Sequence, residues 1–313
     1  MIKKILYGLL GLFVILLVAF FLFLYQADIP VEDLKEKYAY ETSEFIDFNG
    51  LNVHFRSEGS GPSILLLHGT GSSLHTWEPW IEILRDSFQV ITMDLPGFGL
   101  TGPHPEGIYT TPSYNETISS LMDYLGIHKF SIGGNSLGGY ISWNYALDNP
   151  NKIESMILVD PAGFPTPPVA LFKLISNPIL GPLLSKVSVR SIVEKNLKEV
   201  YTNDDLVSEE LIDRYYSMSL RAGNRQALRD RVNRREESRV ARLSEIRCPT
   251  LIQWGSDDLW IPVDHAQKYC DAIEDCQIEI YEAGHVPMEE LPILTGKDAL
   301  GFLSQSLLGD DNE

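Results

Sequence analysis

One serine sits among small residues in Gly134-Asn135-Ser136-Leu137-Gly138-Gly139, directly after the apolar run Lys129-Phe130-Ser131-Ile132-Gly133 and before a stretch of helical spacing. On so sharp a strand-to-helix turn the hydroxyl points out of the sheet, and bulky neighbours two residues either side would collide. A serine hydroxyl is a weak nucleophile at neutral pH, so it needs a base to take its proton and an acid to orient that base. Among seven histidines, His285 in Glu282-Ala283-Gly284-His285-Val286-Pro287 follows the last predicted strand, on the same carboxyl edge of the sheet as Ser136. His68 also ends a strand, but it opens a glycine-containing loop and is read as holding that loop.

Three aspartates compete for the acid: Asp257 and Asp258 after the strand ending at Trp254, and Asp160 after the preceding strand. The chain order Ser, Asp, His fits all three. Charge developing on a substrate carbonyl oxygen needs fixed donors. The backbone N–H of Leu137 and that of Thr70, in His68-Gly69-Thr70-Gly71, are the candidates. No cluster of His, Cys and carboxylates has ligand spacing, so no metal or organic cofactor is expected.

These residues must be carried by elements, and the pattern supplies them. Glu44–Phe48 and Leu51–Phe55 alternate in polarity around Asn49-Gly50, the strongest short hairpin signal. Ser63–Leu67, Gln89–Met93, Lys129–Ile132, Ile153–Val159, Thr250–Trp254 and Gln277–Tyr281 read as strands, several of them continuous apolar runs suited to burial on both faces. Helical spacing fills Leu74–Arg85, Tyr114–Leu125, Leu137–Leu147, Val263–Ile273 and a last stretch to Leu307. The expected class is α/β: a mostly parallel eight-stranded sheet with helices on both faces, opened by an antiparallel hairpin. The alternation stops between Pro161 and Arg247, which implies a helical cap over the carboxyl edge of the sheet, inserted after strand 6. The division read is an anchor at 1–27, a polar tether at 28–43, a core at 44–163 and 248–309, and a cap at 164–247.

At this point the chain resembles the α/β-hydrolase fold family over about Glu44 to Leu308. Four motifs carry the resemblance: His68-Gly69-Thr70-Gly71, Asp94-Leu95-Pro96-Gly97-Phe98-Gly99, the turn around Ser136, and Gly255-x-x-Asp258-x-x-x-Pro262 followed by Gly284-His285. In the family pattern the acid is the fourth residue of the glycine-to-proline segment, which singles out Asp258 and leaves Asp257 a surface or capping carboxylate. The triad implied is Ser136, His285 and Asp258. Epoxide hydrolases and haloalkane dehalogenases carry aspartate where this chain has Ser136, which disfavours them. The Gly-Asn-Ser-x-Gly-Gly turn is similar to that of serine-dependent carbon–carbon bond hydrolases of aromatic ring-cleavage products. Those typically carry Trp after the catalytic His, where this chain has Val286, and a longer glycine-rich oxyanion loop. The leading expectation is therefore an esterase or lipase acting through an acyl-enzyme, with the carbon–carbon hydrolase as alternative and a non-catalytic binding member as a minor one.

Ile5 to Tyr25 holds no charge and follows Lys3 and Lys4. At about 1.5 Å per residue it is roughly 31 Å long as a helix, which matches a hydrocarbon core of about 30 Å. An uncleaved single-pass anchor in the lipid bilayer is expected; a cleaved signal peptide, normally with an apolar region of about 7–15 residues, competes. The lysines favour a cytoplasmic N-terminus and a periplasmic or extracellular catalytic domain. The formal charge of −18 would repel a nucleic-acid backbone and excludes that partner. Cys270 and Cys276 could close a short disulfide loop, leaving Cys248 free; three unpaired thiols is the competing reading.

The apolar opening of the cap, with Phe164, Phe172 and Leu174, suggests a pocket for a small ester or acyl substrate, lipid-derived if the cap lies near a bilayer. Ordinary cap-to-core packing is the competing reading. From Asp204 to Arg247 there are ten arginines against nine acidic residues, so a solvated, salt-paired helix face is expected over a lipid-headgroup contact. Nothing in the sequence sets the oligomeric state.

Overall fold

Residues 2–187 and 189–308 are described in the computed structural model of the chain. Positions 1, 188 and 309, which fall within the anchor, cap and core ranges read above, lie outside them. Beyond Lys3 and Lys4, helix α1 (Ile2–Leu24) is apolar all round, long enough to cross a membrane and exposed along nearly all its length. A helix of that composition has no polar face to turn to water.

The segment read as a polar tether is structured. Helix α2 (Val31–Tyr38) forms within it, and its Leu34 is buried against Leu100 and Met218. Just before it, Ile29 donates its N–H to the Leu220 carbonyl at 2.7 Å and accepts from the Ala222 N–H at 3.1 Å. One buried leucine in an eight-residue helix leaves no periodicity to read, and its partners lie far along the chain.

The hairpin β1 (Glu44–Phe48) to β2 (Leu51–Glu58) turns through Asn49 and Gly50 at φ 56° and 86°, the consecutive left-handed conformations a two-residue hairpin needs. Then come β3 (Ser63–Leu67), α3 (Glu78–Leu84), β4 (Gln89–Met93), α4 (Thr111–Tyr124), β5 (Phe130–Asn135), α5 (Leu137–Asp148) and β6 (Ile153–Val159). After the cap follow β7 (Thr250–Gly255), α11 (Asp264–Ala272), β8 (Cys276–Tyr281), α12 (Pro287–Glu290) and α13 (Pro292–Leu308). The sheet order is β1-β2-β4-β3-β5-β6-β7-β8, with β2 antiparallel to both neighbours and the other pairs parallel.

Strand periodicity divides the core. Leu65 and Leu67 of β3 enter a cluster with Ile132 and Ile141, while Ile64 and Leu66 enter another with Trp77, Trp80 and Leu303. Each such side chain contributes about 1.5–3 kcal/mol by leaving water. The parallel topology gathers the loops after β3, β5, β6, β7 and β8 at one edge, on both sides of central β5. Ligands of open sheets bind at that place.

The cap consists of α6 (Ala170–Ile175), α7 (Leu180–Leu184), α8 (Arg190–Val200), α9 (Glu209–Ser219) and α10 (Asn224–Asn233). The arginine-rich part of the cap, read as a salt-paired helix face, is broken at Gly223, at φ 90°, and its last α-helix ends at Asn233. Cys270 and Cys276 are joined as a disulfide between α11 and β8, and Cys248 is free and buried, so the reading of three unpaired thiols is corrected.

Candidate active site

Ser136 occupies the turn between β5 and α5 at φ 53° and ψ −110°, a conformation that costs on the order of 1–3 kcal/mol and is held by its surroundings. A Cβ at Gly134 would lie 2.3 Å from the Gly138 carbonyl carbon, and one at Gly138 would lie 2.1 Å from the Leu67 carbonyl oxygen. The tight turn therefore depends on both glycines.

His285 lies in the loop between β8 and α12. Its Nδ1 is 2.6 Å from Oδ2 of Asp258, and its Nε2 is buried with no partner. The backbone holds it on two sides: its N–H donates to the Val200 carbonyl of α8 at 2.8 Å, and its carbonyl accepts from Asn135 Nδ2 at 2.9 Å. The Trp260 ring covers the imidazole, with centroids 5.5 Å apart. Asp258 accepts on Oδ1 from the Trp260 and Ile261 N–H groups at 2.7 and 3.0 Å. Burial alone would raise its pKa, but His285 and those N–H donors outweigh burial and hold it below the usual carboxylate value. Asp257 is exposed, its carboxylate accepting from the Ser256 hydroxyl at 2.8 Å and its N–H donating to the Ala283 carbonyl at 3.0 Å.

Asp160 is the third aspartate, and it lies behind the pair rather than on the imidazole bond. It has φ 44°, accepts from the Gly255 N–H on Oδ1 at 3.0 Å, and keeps Oδ2 buried without a partner. Burial, then the charge of Asp258, push its pKa well above the ordinary value. Asp160, Asp258 and His285 each offer a donor atom within 4.8 Å of the others. That set does not suit a metal ion, because His285 Nδ1 and Asp258 Oδ2 are already committed to each other.

His68 is fully buried, with Nδ1 2.7 Å from the Gly69 carbonyl and Nε2 accepting from the Leu95 N–H at 2.9 Å. Burial lowers its pKa, consistent with a neutral ring that ties β3's loop to β4's. Asp94 completes the brace, accepting from His54 Nδ1 and from the Leu74 and Leu100 N–H groups, each at 2.7 Å. Thr70, in the loop so held, lines the chamber at Ser136. Leu137 opens α5, so its N–H has no intrahelical acceptor, while its side chain joins the core.

The chamber has a volume of about 160 Å³ and is walled in part by Thr70, Ser136, Phe172, Tyr215, Trp260 and His285. A second cavity of about 360 Å³ shares Gly71, Leu171, Val193, Asn196 and Leu228 with it and reaches Phe20 of α1. Phe172 thus lines the first cavity and Leu174 the second. Phe164 lines neither and is corrected: its ring packs on Tyr269 and His265, with centroids 5.0 and 5.4 Å away. Asn135 and Trp260 were not singled out from the sequence; their proximity to Ser136 and Asp258 along the chain was the one signal available.

A family model described as the alpha/beta hydrolase fold matches residues 62–292. A 2-hydroxy-6-oxononadienedioate/2-hydroxy-6-oxononatrienedioate hydrolase of Comamonas testosteroni is 28% identical over 293 residues, covering 84% of this chain and 96% of its own. Among solved structures, a meta-cleavage product hydrolase of Pseudomonas fluorescens superposes with TM-score 0.75 at 22% identity, over 84% of this chain and 98% of that one. A bacterial membrane phospholipase A superposes with TM-score 0.73 at 24% identity, over 97% of this chain and 99% of that one. These two structures share the fold, and the second extends the likeness over nearly the whole chain.

Proposed function

Because the chain belongs to the α/β-hydrolase fold family, we propose that Ser136, His285 and Asp258 are the triad of a serine hydrolase and that it cleaves a carboxylic ester with an apolar acyl group. His285 Nε2 takes the Ser136 proton as Oγ bonds to the carbonyl carbon, and the oxyanion is held by the Thr70 and Leu137 N–H groups. Collapse breaks the ester C–O bond, and the alcohol leaves with the proton from His285. Water, deprotonated by the same nitrogen, then splits the acyl-enzyme and returns the proton to Ser136. Asp258 keeps Nδ1 protonated so that Nε2 is the free acceptor.

The observation that carries the ester reading is an apolar cavity that shares wall residues with the chamber at Ser136 and reaches α1, which we read as a membrane anchor. Loss of a single oxyanion donor costs roughly 2.7–4 kcal/mol in comparable sites.

A second reading, hydrolysis of a carbon–carbon bond in a ring-cleavage product, is favoured over the ester by the named relatives, which include the Comamonas enzyme. Their dienoate substrates carry a carboxylate. Arg214, with Nε buried and unpartnered and its charge acting on the chamber residue Tyr215, is the candidate to receive it. Val286, in the place of tryptophan, speaks against this reading. Full-length protein assayed on nitrophenyl esters of graded chain length and on a 2-hydroxy-6-oxo-dienoate separates the two. The ester reading predicts turnover rising with chain length; dienoate turnover about 100-fold above the best ester overturns it.

A further inference from the structure

Several of the cap's arginines meet the salt-paired expectation: Arg239 pairs with Asp148 and Arg242 with Glu245. Two on α10 that line one cavity keep open guanidinium nitrogens. Arg225 and Arg229 lie on one helix face, four residues apart, and both line the second cavity. The Arg225 side chain is only 8% exposed, yet its Nε and Nη1 have no partner. Arg229 Nε is likewise buried and unpartnered, and Arg229 makes no ion pair among the described residues. Among the described residues no carboxylate lines the cavity, in a protein of net charge −18, although Asp28 pairs with Arg225 Nη2. Buried guanidinium donors left open in an otherwise apolar cavity are costly unless an anion occupies it.

Position identifies the anion. Arg225 Nη2 donates to the Gln26 carbonyl at 2.8 Å and to Asp28 at 2.6 Å, just past the end of α1 at Leu24. If α1 spans the bilayer, these arginines lie at headgroup depth. We propose that Arg225 and Arg229 form the headgroup site for the phosphodiester of a glycerophospholipid whose acyl ester reaches Ser136. This rests on the ester reading of the Ser136 site. The charge recognised belongs to the part of the substrate remote from the scissile bond, since the cavity holding the arginines adjoins the serine chamber rather than containing Ser136. A product carboxylate, by contrast, forms at Ser136 itself. The Arg229 guanidinium, without an ion pair among the described residues, suits a phosphodiester bidentately, with Arg225 adding single bonds from Nε or Nη1, and the apolar walls suit the lipid rather than free phosphate.

The test uses full-length Ser136→Ala protein in non-ionic detergent, with Trp fluorescence reporting binding of hexadecylphosphocholine and of 1-O-hexadecylglycerol. The phosphate-bearing ligand is expected to bind at least 10-fold tighter, with Arg229→Gln removing that advantage and leaving hexadecylglycerol unchanged. The Arg229 side chain makes no hydrogen bond or ion pair among the described residues, so this variant spares the fold, whereas Arg225→Gln also breaks the Asp28 contact. Equal affinity for both ligands, or no change in Arg229→Gln, overturns the site. Displacement by inorganic phosphate as potent as by the lipid overturns the lipid source. Phosphate-dependent binding in a protein whose Ser136 form cleaves no ester leaves the site standing and overturns the ester reading instead.

Discussion

The carboxyl edge of the sheet and the cap over it wall the same chamber, but they hold their residues differently. At the sheet edge each functional group has several backbone bonds: Asp258 accepts two N–H groups, and His285 is tied at both its N–H and its carbonyl. In the cap, Phe172 sits on the six-residue α6, which has no side-chain cap, and meets the core through packing on Trp260. Rigid geometry serves the bond-breaking step, whereas packing serves recognition. Changes at the edge should therefore act on every substrate, and changes in the cap should act selectively.

The largest expected effect is at the edge. Asp258→Asn should lower kcat roughly 10⁴-fold for short and long esters alike, because the imidazole loses its orienting acceptor. A loss confined to long chains would break the comparison. In the cap, Phe172→Ala should lower kcat/KM about 10-fold on a long-chain ester, or about 1.4 kcal/mol, and leave an acetate ester within twofold. Phe164→Ala is its control, destabilising by about 1–3 kcal/mol in a thermal melt with little change in chain-length preference, since its ring packs on Tyr269.

The smallest effect sharpens the account of Asp160. A buried acid with a raised folded-state pKa contributes stability that is complete below its unfolded value near 3.9 and is lost as pH rises through the folded value. Asn at this position never ionises. Asp160→Asn should therefore gain Tm relative to the parent between pH 4 and pH 8, by about 2–4 °C per kcal/mol recovered. A difference that stays flat or reverses with pH would mean that Asp160 is ionised in the folded protein.

The same contrast explains what could be read from the chain. The strand and helix around Ser136 are local, and the glycines at Gly134 and Gly138 advertise the turn directly. The strands β3, β4 and β6 are short apolar runs whose bounds follow from burial on both faces. Asp160 was visible only as a rival acid, because nothing local says that the ends of β6 and β7 are neighbours. Phe164 and Phe172 stand in one apolar run, and only the docking of the cap tells them apart. Arg225 and Arg229 read as solvated because charge counts carry no information about a cavity formed by α6, α7 and α1. Helix α2 was missed for a related reason, its order coming from contacts with Leu100, Met218 and the α9–α10 turn.

The central claim is that Ser136 is the nucleophile. Full-length protein treated with a fluorophosphonate and digested for mass spectrometry should carry the label on Ser136 alone, with ester hydrolysis lost in step with labelling and Ser136→Ala unlabelled and inactive. Hydrolysis that survives complete labelling of Ser136, or persists in Ser136→Ala, would contradict the account.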